Sequence, residues 1–201
     1  GLIFVEVTCV DTPLGLNSSR QLVIDDDRYL PGMTLLANAI HEHGAKAVLQ
    51  LSHTGRGARE RLIGAQPVGF SAEPMPFSSH TGLTGEAPRA LTEEEIGRSS
   101  EKFAEAALRA KTAGFDGVLI HGAGYYLVAQ SLSATANTRG DRYGGSLRKR
   151  ATFLLEIIES IRARCGADFP ILFKMNGLEI GPGKGVSLID GLRLLRILRR
   201  A

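Results

Sequence analysis

An α/β fold, organised as part of a (β/α)8 barrel, is the architecture this sequence predicts, and three observations carry the prediction. Short, continuously apolar runs at 2–8, 46–51, 116–121 and 170–175 alternate with longer helical patterns. Continuous apolarity marks strands covered on both faces, and the repeated strand–helix order requires parallel strands joined by right-handed crossovers. Polar residues then fall at the same end of each run: Thr8 and Cys9, Gln50, His121, and Lys174. That end is a barrel mouth, where barrel enzymes hold their catalytic groups.

The first strand, Leu2-Ile-Phe-Val-Glu-Val7, opens the chain with no methionine before it, which reads as a piece of a longer protein. A helix over about 31–43 follows, with Leu35, Leu36, Ala39 and Ile40 on one face and Gly44 as its stop. In the second strand Gln50 interrupts an otherwise apolar run. The connection over 54–91, punctuated by Gly55, Gly57, Pro74, Pro76 and Pro88, is longer than usual and reads as a lid or binding segment. Thr92 and Glu95 form a capping box ahead of Ile96, Phe103, Ala106, Ala107 and Ala110, and that helix stops at Gly114.

The third strand runs into His121, and a helix over about 147–164 presents Phe153, Leu154, Ile157, Ile158 and Ile161. Lys174 interrupts the fourth strand. Ser187, with Asp190 three residues on, caps a last helix that runs to the end. There Arg193, Arg196, Arg199 and Arg200 interleave with Leu192, Leu195 and Ile197, a wet helix face rather than a nucleic-acid patch. A full barrel needs eight strands and roughly 250 residues. These 201 residues supply four strands. The expectation is one incomplete barrel domain over 1–201, lacking the first strand and the last three or so β/α units.

Several function classes drop out. With 43% hydrophobic and 22% charged residues and a net charge of +3, the composition is that of an ordinary globular protein with no call for a nucleic-acid partner. No apolar run approaches the roughly 18–20 residues of a membrane span. Cys9 and Cys165 flank no metal or redox motif, so free thiols in a reducing, cytoplasmic setting are expected. The first strand is followed by Thr8-Cys-Val-Asp-Thr-Pro-Leu-Gly15, without the Gly-x-Gly-x-x-Gly of a dinucleotide fold. Gly181-Pro-Gly183-Lys-Gly185 lacks a P-loop ending and reads as a plain loop. His41 and His43, two apart in a helical pattern, point to different faces, and no metal site is expected. A hydrolase elbow, Gly-x-Ser-x-Gly, is absent.

What remains is His121 and Tyr126 facing a cleft, with Gln50 and Lys174 beside them, a set able to bind a planar polar ring and deliver a proton. From the residues alone, Gln50 is equally a satisfied core amide and Lys174 a snorkelling barrel-end lysine. Three stretches decide between these readings: Gln50-Leu-Ser-His53-Thr-Gly55-Arg56, then His121 through Asn137-x-Arg139-x-Asp141-x-Tyr143-Gly-Gly-Ser146, then Ile171 to Gly177. On these the sequence resembles the old yellow enzyme family of flavin-dependent oxidoreductases, whose barrels carry FMN at the mouth.

The resemblance implies reduction of an activated C=C bond of enone or dienoyl type, with NADH or NADPH as electron donor and a small molecule as substrate. It implies that Gln50 bonds the pyrimidine edge of the flavin and that Lys174 sits where negative charge collects on reduction. Thr8, at the mouth end of the first strand, is counted with them as cofactor-binding. His121 would bond the substrate carbonyl, and Tyr126, with an ordinary pKa of about 10, would supply a proton to the α carbon. Arg139, Asp141 and Tyr143 read as a structural cluster.

One departure stands out: the family usually places a second donor, His or Asn, three residues after its histidine, and this chain has Gly124. These residues leave open which further domains a parent protein carries, an iron–sulfur module among them. Two other readings follow from the residues: a non-catalytic half-barrel that self-associates through its open edges, and a flavin-free lyase or aldolase with Lys174 as a Schiff-base amine.

Barrels of this kind grip phosphate with loops after their last two strands, which this sequence does not contain. The isolated 201 residues are therefore expected to bind FMN weakly or not at all. Tight, stoichiometric quenching in a fluorescence titration would overturn this.

Overall fold

In the computed structural model, residues 1–76, 84–180 and 185–199 are described. In chain order the elements are β1 (Leu2–Cys9), β2 (Leu22–Val23), α1 (Leu30–His41), β3 (Lys46–Ser52), α2 (Glu60–Ile63), β4 (Val68–Gly69) and β5 (Arg89–Ala90). There follow α3 (Glu93–Thr112), β6 (Gly117–Gly122), α4 (Leu127–Leu132), α5 (Leu147–Arg150), α6 (Thr152–Cys165), β7 (Ile171–Met175) and α7 (Leu188–Leu198). The four expected strands pair side by side and parallel, in the sheet order β2-β1-β3-β6-β7. The two-residue β2, an addition to the expected set, lines the outer edge of β1 at Thr8 and Cys9.

The central runs β3 and β6 are buried on both faces, whereas β1, expected to be covered on both, exposes Leu2, Ile3 and Phe4. Ala47, Leu49 and Leu51 of β3, with Val118 and Ile120 of β6, join the core against the helices, and Ile171, Phe173 and Met175 of β7 pack onto it. Side chains alternate along a strand, so Val48 and Gln50, Leu119 and His121, and Leu172 and Lys174 belong to the opposite face. The register aligns Gln50 with Leu119, Leu119 with Leu172, and His121 with Lys174. His121 and Lys174 thus form the layer nearest the mouth, and Gln50 lies one layer, about 7 Å, below.

The helices follow their caps. Thr92 and Glu95 make the full capping box, and Ile96, Phe103, Ala106, Ala107 and Ala110 are buried as the stripe required. Ser187 and Asp190 repeat the device at α7. Helix α1 differs from its expected face: Met33, Ala37 and Ile40 are buried while Leu35 is exposed. Their i, i+4, i+7 spacing is the stripe the sheet accepts. The helix expected over 147–164 is interrupted at Ala151, and the buried Arg150 just before the break donates to the Leu132 carbonyl (2.7 Å) and to the Gly145 carbonyl. In α7 only Gly191 and Leu194 are buried, and Leu192 and Leu195 are exposed together with Arg193 and Arg196. Arg200 and the stretch 181–184 lie outside the described residues. Among the described residues no helix is long and apolar enough to cross a membrane.

The long connection over 54–91 contains α2 and the short parallel pair β4–β5. It is pinned by the segment after α4. Arg139 donates to the carbonyls of Phe70 (2.9 Å) and Leu91 (2.6 Å) and grips Asp141 through Nε (2.9 Å), which holds that carboxyl below its ordinary range. Asn137 donates to the carbonyls of Ser131 and Tyr143, and the buried Tyr143 hydroxyl donates to Glu156 at 3.0 Å. Gly144 has to be glycine, since a Cβ there would lie 2.0 Å from the Arg139 carbonyl oxygen. The cluster is structural, as the sequence indicated.

Arg139→Ala would leave two carbonyls and a partly buried carboxylate without partners. A loss of about 3 kcal/mol in urea unfolding is expected, with little recovered by Arg139→Lys, which lacks the fork. A loss under ~0.5 kcal/mol would refute this assignment.

Candidate active site

Three strand ends and one short helix build the site. Gln50 interrupts the apolar run of β3 two residues before its end and is 2% exposed, His121 is the penultimate residue of β6, and Thr8 lies near the end of β1. After β6 the chain turns through Gly124, whose φ of +62° is left-handed backbone suited to glycine. Asn176, just past β7, accepts from the Gly124 N–H at 2.8 Å and donates to its carbonyl at 3.2 Å. Tyr126 is then the extended N-cap of α4, all six of whose residues are buried.

The aromatic rings are packed together. The Tyr126 ring stacks on Tyr125 (centroids 5.1 Å, planes 11° apart) and meets the His121 ring at 4.1 Å. Gln130 donates to the carbonyls of Tyr125 (2.7 Å) and Thr54 (3.2 Å), and the Leu127 N–H donates to the His53 carbonyl at 2.8 Å. The tyrosine turn is therefore fastened to the segment that follows β3.

Buried polar atoms without partners concentrate here. Thr8 Oγ1, Gln50 Oε1 and His121 Nδ1 are all shielded and make no hydrogen bond. Each such atom costs about 1–3 kcal/mol of desolvation. Asp25 Oδ1, Arg56 Nε and Gln130 Oε1 are likewise without partners, whereas buried Asp11 faces His53 Nε2 at 3.5 Å and takes the Lys102 ammonium. Burial pushes the Asp11 carboxyl up, but hydrogen bonds and charge from His53 and Lys102 outweigh it and hold the carboxyl below its ordinary range. His41, set aside above as a metal ligand, is taken by Asp116 at 2.7 Å.

Burial dominates the electrostatics. It lowers His121 to about 4, with the Lys174 ammonium adding to the effect, so the imidazole is neutral near pH 7. It raises Tyr126 to about 12, with Tyr125 and Glu6 contributing, so the phenol keeps its proton. Lys174 itself is exposed at the mouth, paired in register with His121. Cys9 is pushed up to about 12 by burial and is no nucleophile.

The structure thus brings His121 and Tyr126 into contact and sets Lys174 beside them, with Gln50 a layer below. Sequence reasoning missed three residues. Gln130 carried a signal, standing four residues after Tyr126 on the same helix. Asn176 carried one too, two residues beyond Lys174. Asn17, which bonds both tyrosine hydroxyls (3.2 and 3.3 Å), lies in an irregular loop where no periodicity reveals it.

The His121 imidazole is expected to titrate near pH 4, well below an unfolded value of about 6.5. The unfolded chain binds the extra proton, so this residue's contribution to stability is lost as pH falls from about 6.5 toward 4. Lys174→Met should move the midpoint upward in an NMR titration. A midpoint at the ordinary value in the unsubstituted protein would contradict the buried, neutral ring.

Comparison with known proteins identifies the family and the fold. The chain is 42% identical over 202 residues to an NADH oxidase of Thermoanaerobacter brockii, covering all of this chain and 30% of that protein. It is 40% identical over 200 residues to an NADPH dehydrogenase of Halalkalibacterium halodurans, covering 100% of this chain and 55% of that one. The fold matches a 2-naphthoyl-CoA reductase in complex with 2-naphthoyl-CoA with a TM-score of 0.91 at 28% identity, over 100% of this chain and 31% of that one. The chain thus spans between about a third and about half the length of these relatives, and its fold is part of their barrel. Residues 1–183, which carry every strand and each of the polar strand ends described above, match one family throughout, and the chain belongs to the NADH:flavin oxidoreductase / NADH oxidase family.

Proposed function

We propose that these residues form the flavin-facing mouth of an FMN-dependent oxidoreductase that uses NADH or NADPH to reduce an activated C=C bond. The observation that carries the reading is the set of orphaned atoms on three strands, Thr8 Oγ1, Gln50 Oε1 and His121 Nδ1. A buried amide and a buried hydroxyl left without partners fit the alternating donors and acceptors along the edge of an isoalloxazine ring. The residues present therefore suit FMN, with Gln50, Thr8 and Lys174 holding it. When bound, FMN supplies hydride chemistry.

The protein's own part is positioning and proton control. Lys174 sets a fixed positive charge at the mouth, where it favours an electron-rich ring. His121, neutral because it is buried, retains one N–H to donate to a substrate carbonyl. Tyr126, protonated because it is buried, has a proton to give to the α carbon. Position 124 offers no second side-chain donor, and the Gly124 N–H is already taken by Asn176. A pocket with one donor forgoes the hundred- to thousandfold that a second brings. This supports substrates with stronger built-in activation, such as a dienoyl thioester. Similarity to a reductase whose name specifies a CoA thioester points the same way.

The same reading makes this chain one part of a larger barrel whose remaining units cover the apolar residues exposed here, among them Leu2, Ile3 and Phe4 of β1 and Leu192 and Leu195 of α7.

In the full-length protein, Tyr126→Phe is expected to slow reduction of both 2-cyclohexenone and a dienoyl thioester by about a hundredfold, with FMN content unchanged. Turnover equal to the parent's would sink the proton-donor role. Absence of NADH- or NADPH-dependent reduction of either substrate by the parent itself would sink the wider reading.

A further inference from the structure

The geometry points to Asn17 as a positioning residue for the Tyr126 proton: its side-chain amide donates to the Tyr126 oxygen and leaves the phenolic O–H aimed away, free for a substrate. This rests on the reading of Tyr126 as proton donor, and it adds a residue from a different segment of the chain.

A tyrosine hydroxyl carries one proton and two lone pairs. Asn17 Nδ2 donates into a Tyr126 lone pair at 3.2 Å, while Asn17 Oδ1 accepts from the Tyr125 hydroxyl at 3.3 Å. The two stacked phenols thus meet opposite ends of a single amide. Tyr125 spends its proton on that amide, and among the described residues the Tyr126 hydroxyl meets no acceptor other than the neighbouring Tyr125 oxygen. The arrangement singles out which of two adjacent tyrosines keeps a transferable proton.

Although its side chain is exposed, Asn17 is not adrift. Its N–H donates to Gln21 Oε1 at 2.7 Å, Gln21 Nε2 donates to Ser52 Oγ at 3.2 Å, and Ser52 Oγ donates to the Thr8 carbonyl at 3.1 Å. Two residues earlier, the Gly15 carbonyl accepts from both the N–H and the hydroxyl of Thr54. The adjoining His53 carbonyl accepts from Leu127, the residue after Tyr126. Donor and partner are thus tied to one two-residue segment, His53-Thr54, which fixes their relative placement. A donor bonded to the phenol oxygen also stabilises the phenolate left after transfer, the form that burial at Tyr126 disfavours.

The test uses the full-length protein carrying Asn17→Ala, Asn17→Asp, Tyr126→Phe, and Asn17→Ala combined with Tyr126→Phe. Flavin reduction by NADPH, and the subsequent reoxidation by 2-cyclohexenone or by oxygen, are followed separately by rapid mixing. Asn17→Ala is expected to slow reoxidation by the enone about tenfold, leaving reduction by NADPH and reoxidation by oxygen unchanged. In the Tyr126→Phe background the same substitution should change nothing further.

Ultraviolet difference titration provides a readout apart from turnover. Tyr126 ionisation, identified by its loss in Tyr126→Phe, should move to higher pH in Asn17→Ala and further in Asn17→Asp, whose carboxylate only accepts. Equal slowing in both backgrounds, or an unmoved phenol titration, would overturn the proposal while leaving Tyr126 as donor. Unchanged enone reoxidation in Tyr126→Phe itself would instead remove the donor reading on which it stands.

Discussion

The strict alternation of side chains along parallel strands in fixed register is the constraint on which the site depends. Because Leu49, Leu51, Val118 and Ile120 are claimed by the core beneath the helices, their neighbours Gln50, Leu119 and His121 have no choice of face. A slip of one residue would turn the polar groups into the apolar layer and the leucines outward. The hydrophobic driving force that forms the sheet is thus also what fixes His121 opposite Lys174 and Gln50 opposite Leu119. Chemistry at the mouth is positioned by residues that take no part in it.

Gathering polar groups where water is excluded has two opposite effects. It makes His121 a poor base and Tyr126 a poor acid in the ground state, since burial moves the first to about 4 and the second to about 12. It also keeps each in the protonation form that hydrogen bonding to a carbonyl and proton delivery require at neutral pH. Nearby, the equally buried Asp11 is held below its ordinary range by hydrogen bonds and charge from His53 and Lys102. The paired Asp11 and the unpartnered Thr8, Gln50 and His121 atoms mark two ways in which this interior holds polar groups.

How much of this the sequence disclosed depended on whether a residue's role was repeated locally. Gln50, His121 and Lys174 were legible because each interrupts or ends an apolar strand, and Tyr126 because it follows β6 by a few residues. The capping boxes at Thr92 and Ser187 were legible for the same reason, being contacts across three residues. The buried face of α1 was misjudged because periodicity alone did not say which of several apolar residues the sheet accepts. The break at Ala151 had no local signal, and Arg150 beside it bonds Leu132, eighteen residues back. Asn17 was hidden more deeply still, its partners lying more than one hundred residues away.

Gly124 bears on how such a pocket changes over time. A Cβ placed there meets nothing closer than Tyr126 Cδ2 at 3.9 Å, so room for a side chain exists. The obstacle is the left-handed backbone, which most residues resist and asparagine tolerates. Asparagine also carries the amide donor that the one-donor pocket lacks. A second side-chain donor at this position is therefore restricted to the few residue types that accept a left-handed backbone, and drift here is channelled by conformation before selection weighs the chemistry.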